Sequence, residues 1–339
     1  MPHASFKANE QRLWQEALSD LITDPKELLM LLDLDPALLD AALRAARAFP
    51  LKVPRGFVTR IEKGNPFDPL LKQILPLDIE LQATPGYVAD PLQEAQVNPV
   101  PGLLHKYHGR VLVTLTSACA VHCRYCFRRH FPYEDNNPGT NGWERIFAYI
   151  RQDDSVSEVI LSGGDPLAVS DKRLKLFTDQ LSRIPHVKRL RIHTRLPVVL
   201  PERITDECID WLTQIKLAPV MVIHVNHPNE ISHDVREAML TLRNARVPLF
   251  NQTVLLKGVN DEANTLAALS EALFAAGVMP YYLHVLDRVQ GAAHFDMTLC
   301  KAREIHAELG NKLPGYLVPR LVCEEPGMPS KTLLATPVL

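Results

Sequence analysis

The sequence predicts an α/β fold: a parallel sheet curved into a partial, TIM-like (β/α)6 barrel, with a helical lobe before it and a short C-terminal segment after it. Three observations predict this. From residue 111 onward, short apolar runs alternate with amphipathic stretches. The runs scarcely alternate in polarity, as expected of strands covered on both faces. The chemically interesting side chains follow or end the runs, the rim at which barrel enzymes place their chemistry.

Residues 1–100 read as a helical lobe and connector. In TDPKELLMLL, Asp24 can cap a helix and Pro25 can take its first position; Asp35–Pro36 and Asp68–Pro69 repeat the device. Leu28, Leu29 and Leu32, then Leu38, Leu39 and Leu43, form apolar stripes at helical spacing. Packing is the expected role of this lobe. The stretch from Tyr87 to Tyr107 is rich in proline, lacks periodicity and reads as a surface connector.

Residues 101–318 form the barrel unit. Its six strands are VLVTLTS (111–117), EVILSGG (158–164), RLRIHT (189–194), VMVIHVN (220–226), LFNQTVLL (249–256) and PYYLHVL (280–286). Stretches such as DKRLKLFTDQLSRI and NTLAALSEALFAAG supply helices between them. Six units in place of eight imply an open or partial barrel. Residues 319–339 form the C-terminal segment, which carries Lys331.

Composition narrows the function. The chain has 339 residues, 46% of them hydrophobic, enough for one large core or a core plus a lobe. The net charge of -2 gives no electrostatic case for nucleic acid or membrane. The N-terminus MPHASFKANEQRLW lacks the apolar region of a secretory signal. No apolar run approaches the roughly 20 residues of a spanning helix. A cytoplasmic location is expected, where cysteines are seldom paired.

Three of the six cysteines lie within eight positions, at Cys119, Cys123 and Cys126. Thiolates bind zinc or iron–sulfur clusters. A structural zinc site is closed by four ligands, and only His122 or His130 stands near to complete one. A [4Fe–4S] cluster on three cysteines instead leaves one iron open to a small molecule. An open position suits catalysis.

The spacing resembles the mark of the radical S-adenosylmethionine superfamily, with an aromatic residue, Tyr125, before the last cysteine. SGGDPL (162–167) resembles that superfamily's glycine-rich motif. The resemblance implies that Gly163, Gly164 and Asp165 meet S-adenosyl-L-methionine. More closely, IEKGNPFDPL, CRYCFRRHF, LSGGDPL, TRLPVVLPERIT, NHPNEIS, NQTVLLKGVND and PGMPSK resemble the lysine 2,3-aminomutase family over residues 55 to 335. This implies an isomerase that moves the amino group of lysine, with pyridoxal 5′-phosphate (PLP) as second cofactor. By the same resemblance Lys331 forms the Schiff base with PLP, Lys106 and Arg110 contact its phosphate, and Tyr107 lies beside its ring. His224 and Gln252 fall near the cofactors, and Arg128 grips the substrate carboxylate. Asp287 and Glu324 take the distant ammonium of lysine, glutamate standing where the family has aspartate.

GLLHKY, CFRRHFPY and the PSKT ending resemble the family branch that makes (R)-β-lysine for elongation factor P. Expected partners are therefore free lysine, elongation factor P with its lysyl ligase, and a flavodoxin-like electron donor. Longer relatives carry a zinc site beyond the lysine loop. With Glu262 at one ligand position and the chain ending at Leu339, that zinc is not expected. The competing expectations are an aminomutase for another amino acid, or a non-catalytic factor that binds elongation factor P.

Overall fold

The computed structural model describes residues 13–139 and 141–334. Its central feature is one nine-stranded sheet in the order β11-β10-β9-β8-β7-β6-β5-β4-β3. The strands are β3 (Leu103–Tyr107), β4 (Arg110–Thr114), β5 (Glu158–Ser162), β6 (Arg189–Thr194), β7 (Ala218–His224), β8 (Leu249–Val254), β9 (Met279–His284), β10 (Arg320–Cys323) and β11 (Thr332–Leu333). From β4 to β10 every neighbouring pair is parallel. The outer pairs, β3 with β4 and β10 with β11, are antiparallel.

The predicted strands are all present, ending up to three residues early at the rim. Two further readings are corrected. The parallel set has a seventh member, β10, which follows Pro319 and spans only four residues. The connector does not run on to Tyr107: its last residues, Leu103–Tyr107, form β3, which turns back through His108–Gly109 into β4.

In the lobe, proline-initiated helices form where expected. The Asp24 carboxylate accepts from Lys26 N, that of Asp35 from Ala37 N, and that of Asp68 from Leu70 N and Leu71 N. Leu28, Leu29 and Leu32 are buried. The second helix, Leu39–Ala48, buries Ala42 and Ala45 instead, and Leu43 is exposed. The lobe also holds a two-residue antiparallel ribbon, β1 (Leu21–Ile22) on β2 (Val53–Pro54), too short to leave any alternation in the sequence.

Lobe and barrel share a continuous apolar core, running from Trp14 and Phe57 through Val113, Phe177 and Ile192 to Val278. Polar contacts seal the junction. His122 N donates to Lys52 O and Arg124 N to Gln73 O, both at 2.9 Å. The Arg124 guanidinium forks onto the Glu80 carboxylate, Nε to Oε1 at 2.8 Å and Nη2 to Oε2 at 2.6 Å, and Arg129 Nη2 reaches the same carboxylate at 2.8 Å. These three side chains are at most 3% exposed.

Removing one partner of a buried ion pair strands the other charge in a low-dielectric interior. Glu80→Ala strands two guanidiniums at once. It is expected to destabilise the fold by about 3–5 kcal/mol in denaturant unfolding; a loss within ±0.5 kcal/mol would mean that these arginines reach water.

Candidate active site

The parallel strands deliver their C-terminal ends to one rim, and a cavity of about 610 Å³ lies inside it. That volume suits a small-molecule or cofactor site. Every site residue expected from the sequence lines this cavity, from Cys119 to Lys331, although they come from segments more than two hundred positions apart.

Cys119, Cys123 and Cys126 occupy the loop after β4 as free thiols. They interact electrostatically with one another, and burial pushes Cys126 up to about 11 and Cys119 further still. His122 is turned away: its Nδ1 pairs with Pro50 O, and its ring stacks on Phe49. His130 pairs with Gln290 O. Among the described residues, no three ligand side chains close on a point the size of one ion. Three soft donors at an open cavity, with the nearby imidazoles engaged elsewhere, fit a cluster held by three thiolates.

The glycine loop after β5 packs directly on the cluster loop. Gly163 has φ +101°, and a Cβ there would meet Thr114 Cγ2 at 2.6 Å. Gly164 N donates to Thr116 O, and a Cβ on Gly164 would lie 2.7 Å from the carbonyl oxygens of Thr116 and Ala118. Asp165 lines the cavity as well, with its side chain engaged by the protein. Its carboxylate already accepts four donors, Leu167 N, Thr194 Oγ1, Arg195 N and Leu196 N, at 2.6 to 3.0 Å. It fixes the loops after β5 and β6 and has no side-chain capacity left for a cofactor.

Across the cavity runs a chain of alternating charge. Arg128 forks onto Glu94, Nε to Oε2 at 2.7 Å and Nη2 to Oε1 at 2.8 Å, and its Nη1 donates to Ser162 Oγ. Lys106 bridges Glu94 at 3.0 Å and Glu324 at 2.8 Å. The Glu324 carboxylate also holds Lys331 Nζ. Burial alone would raise the Glu324 carboxyl, but Lys331 and then Lys106 hold it well below the usual carboxylate range. Three of the five N–H groups of Arg128 are therefore committed, which leaves two for a ligand. The bridge from Lys106 on β3 to Glu324 after β10 also spans the seam where the outer strands fail to join.

Asp287, after β9, has no hydrogen-bond or ion-pair partner among the described side chains. Burial, followed by repulsion from Glu324, pushes its carboxyl up to about 7. It is the uncommitted carboxyl of the cavity. The Arg110 guanidinium lies over the Tyr107 ring, 4.8 Å from its centre. His224 stacks on Tyr125 and pairs with its hydroxyl at 3.0 Å; burial, then Arg195, pushes the imidazole down to about 3. Gln252 sits beside it in register on β8.

Sequence reading missed three groups here, Glu94, Arg320 and His284. Glu94 lies in the expected surface connector yet is 2% exposed. Arg195, Arg320 and His284 also line the wall. Nε2 of His193 and of His284 are buried without partners among the described residues. Orphaned donors or acceptors in a cavity wall fit a bound ligand.

Gly164→Ala would press a methyl group on two backbone carbonyls that cannot move independently. The expected cost is about 1–3 kcal/mol in unfolding, together with faster modification of Cys119 by a thiol reagent. Wild-type stability and reactivity would contradict the close packing of these loops.

The Radical SAM superfamily pattern matches residues 113–269. The chain is 52% identical to an L-lysine 2,3-aminomutase of Escherichia coli (strain K12), over 95% of this chain and 94% of that protein. It is 48% identical to one from Haemophilus influenzae, over 96% of each chain. An L-lysine 2,3-aminomutase of Clostridium subterminale is 37% identical over 94% of this chain and 77% of that protein. At this identity and coverage, the chain belongs to the L-lysine 2,3-aminomutase family of the radical SAM superfamily.

Proposed function

We propose that the protein converts L-α-lysine to (R)-β-lysine, using a [4Fe–4S] cluster, S-adenosyl-L-methionine and PLP. One observation carries this reading: three free thiols and Lys331 line a single cavity together with Arg128, Asp287 and Glu324. When bound, the cluster with S-adenosyl-L-methionine supplies a hydrogen-abstracting radical, and PLP supplies the electron-accepting carbon that carries the migrating nitrogen.

The chain's own residues bind, orient and exclude water. Cys119, Cys123 and Cys126 hold the cluster and leave one position open. The backbone at Gly163 and Gly164 meets the amino group of S-adenosyl-L-methionine, with His224 and Gln252 on the adjoining wall. Lys331 carries PLP, while Arg110 and Lys106 offer positive charge to its phosphate and Tyr107 flanks the ring. The two uncommitted N–H groups of Arg128 receive the substrate carboxylate, a charge-assisted contact. Asp287 takes the far ammonium. Glu324 can join it only after Lys331 lets go. Holding both ends of a flexible diamine fixes the carbons that exchange hydrogen and nitrogen.

The branch of the family is also proposed: β-lysine made here serves modification of elongation factor P by a separate ligase. The VPGLLHKY, CFRRHFPY and PSKT stretches support it. A cytoplasmic location and a flavodoxin-like electron donor accompany this reading. The absence of any helix among the described residues long and apolar enough to cross a membrane is compatible with it.

Anaerobic incubation of the reconstituted chain with reductant, S-adenosyl-L-methionine, PLP and isotope-labelled lysine tests the reading. Labelled β-lysine is expected by mass spectrometry, and none from Cys126→Ala or Lys331→Ala. S-adenosyl-L-methionine cleavage without β-lysine would reject lysine as substrate.

The acid at Asp287 gives a second test. Its carboxyl titrates near 7, so below that pH an ammonium must displace a proton to bind. KM for lysine should fall as pH rises toward 7, by up to about tenfold per unit, and level off above it. Asp287→Asn should raise KM and flatten the profile. A profile unchanged by the substitution would remove Asp287 from the pocket.

A further inference from the structure

Arg195 follows β6 and lies against the cluster loop, where its side chain is 6% exposed. Its Nη1 donates to Cys123 Sγ at 2.8 Å and to the Tyr125 hydroxyl. Its Nη2 donates to Gln73 Oε1 at 2.7 Å and to Glu230 Oε2 at 2.9 Å. The other two thiols have a different environment: Cys119 faces the backbone N–H of Asp165, and Cys126 that of Arg128. Arg128 and Arg129 act on Cys126 through space, but among the described residues only Cys123 of the three accepts a hydrogen bond from a guanidinium.

This donor cannot swing away. The Asp165 carboxylate holds the Arg195 backbone N–H at 2.7 Å. Glu230, fully buried, is itself fixed by Asn226 N at 2.9 Å, His227 N at 3.1 Å and Gln73 Nε2 at 3.2 Å. Asn226 Nδ2 donates to Gln73 Oε1 and to the Tyr125 hydroxyl. Phe57 of the lobe lies under the guanidinium. A buried charge held this firmly, with one arm on a thiol, costs desolvation that packing alone does not require.

We propose that Arg195, clamped by Glu230 and Gln73, is a positioning residue that sets the reduction potential of the cluster through a hydrogen bond to Cys123. This rests on the cluster reading given above. The step concerned is one-electron reduction of the cluster by an external low-potential donor; no bond forms or breaks in it. Reduction adds negative charge to the cluster and its thiolates. A cation and an N–H donor at the sulfur stabilise that charge and move the potential upward. Such tuning brings the cluster within reach of a flavodoxin-class donor.

The test is an EPR-monitored redox titration of the full chain, reconstituted with iron and sulfide and poised with dithionite and mediators. Two variants are compared with wild type. Arg195→Lys keeps the charge but loses the two-armed fork. The Arg195→Gln, Glu230→Gln double variant removes both charges together, so that no carboxylate is left buried alone. Both midpoints are expected to move to more negative potential, the double variant further, at wild-type iron and sulfide content. An unshifted midpoint with a full cluster would overturn the proposal. Loss of iron from Arg195→Lys under conditions where wild type keeps it would also overturn it, because Arg195 would then merely hold the loop shut. A wild-type chain that assembles no cluster would overturn the cluster reading instead.

Discussion

Charge buried at the barrel rim has to be neutralised, and the rest of the architecture follows from that constraint. The cysteine loop carries Arg124, Arg128 and Arg129 within six positions, and all three are withdrawn from water. Their counterions all come from earlier in the chain. Glu80 takes Arg124 and Arg129, and Glu94 takes Arg128. Gln73 does the same work for Arg195 alongside Glu230. The first hundred residues thus do more than pack: they supply the acids and amides that let a cationic loop lie in the interior with its thiols turned to the cavity. Unpaired, each guanidinium would be driven toward solvent, and the loop with it.

The open seam of the sheet has a parallel logic. A barrel closed by strand pairing needs no side chains at its edges. Here the outer strands do not join, and the Lys106–Glu324–Lys331 bridges tie them across the cavity mouth. The groups that steady the seam are the ones proposed to handle PLP and substrate. Glutamate at 324 has the reach to hold both lysines at once. The same ion pairs hold these lysines in place, and leave Asp287 as the carboxyl without a partner among the described side chains.

Much of this was legible in the sequence because buried parallel strands write themselves as unbroken apolar runs. EVILS and VMVIH are examples, and both form strands in the expected order. The cysteine spacing and the Gly163–Gly164 pair were legible for a different reason: few structures demand three thiols and two glycines there. The missed features share the opposite property. β10 is four residues long, and β3 carries the polar His105 and Lys106, so neither gives a clear run. Glu94 sits in a proline-rich stretch whose burial depends on Arg128, 34 positions away. The partners of the Asp165 carboxylate were likewise illegible, because they come from loops that sequence cannot bring together. Long-range pairing of charge, unlike hydrophobic periodicity, leaves no local signature.

One cavity is proposed to hold both a thiolate cluster and a lysine-borne cofactor, with Lys331 and not its neighbour Lys106 carrying the latter. The most direct measurement is borohydride reduction of the iron-loaded chain after incubation with PLP, followed by peptide mapping. A single labelled peptide that contains Lys331 is expected, with loss of that label when lysine is added first. Label on Lys106, or on several surface lysines regardless of added lysine, would contradict it.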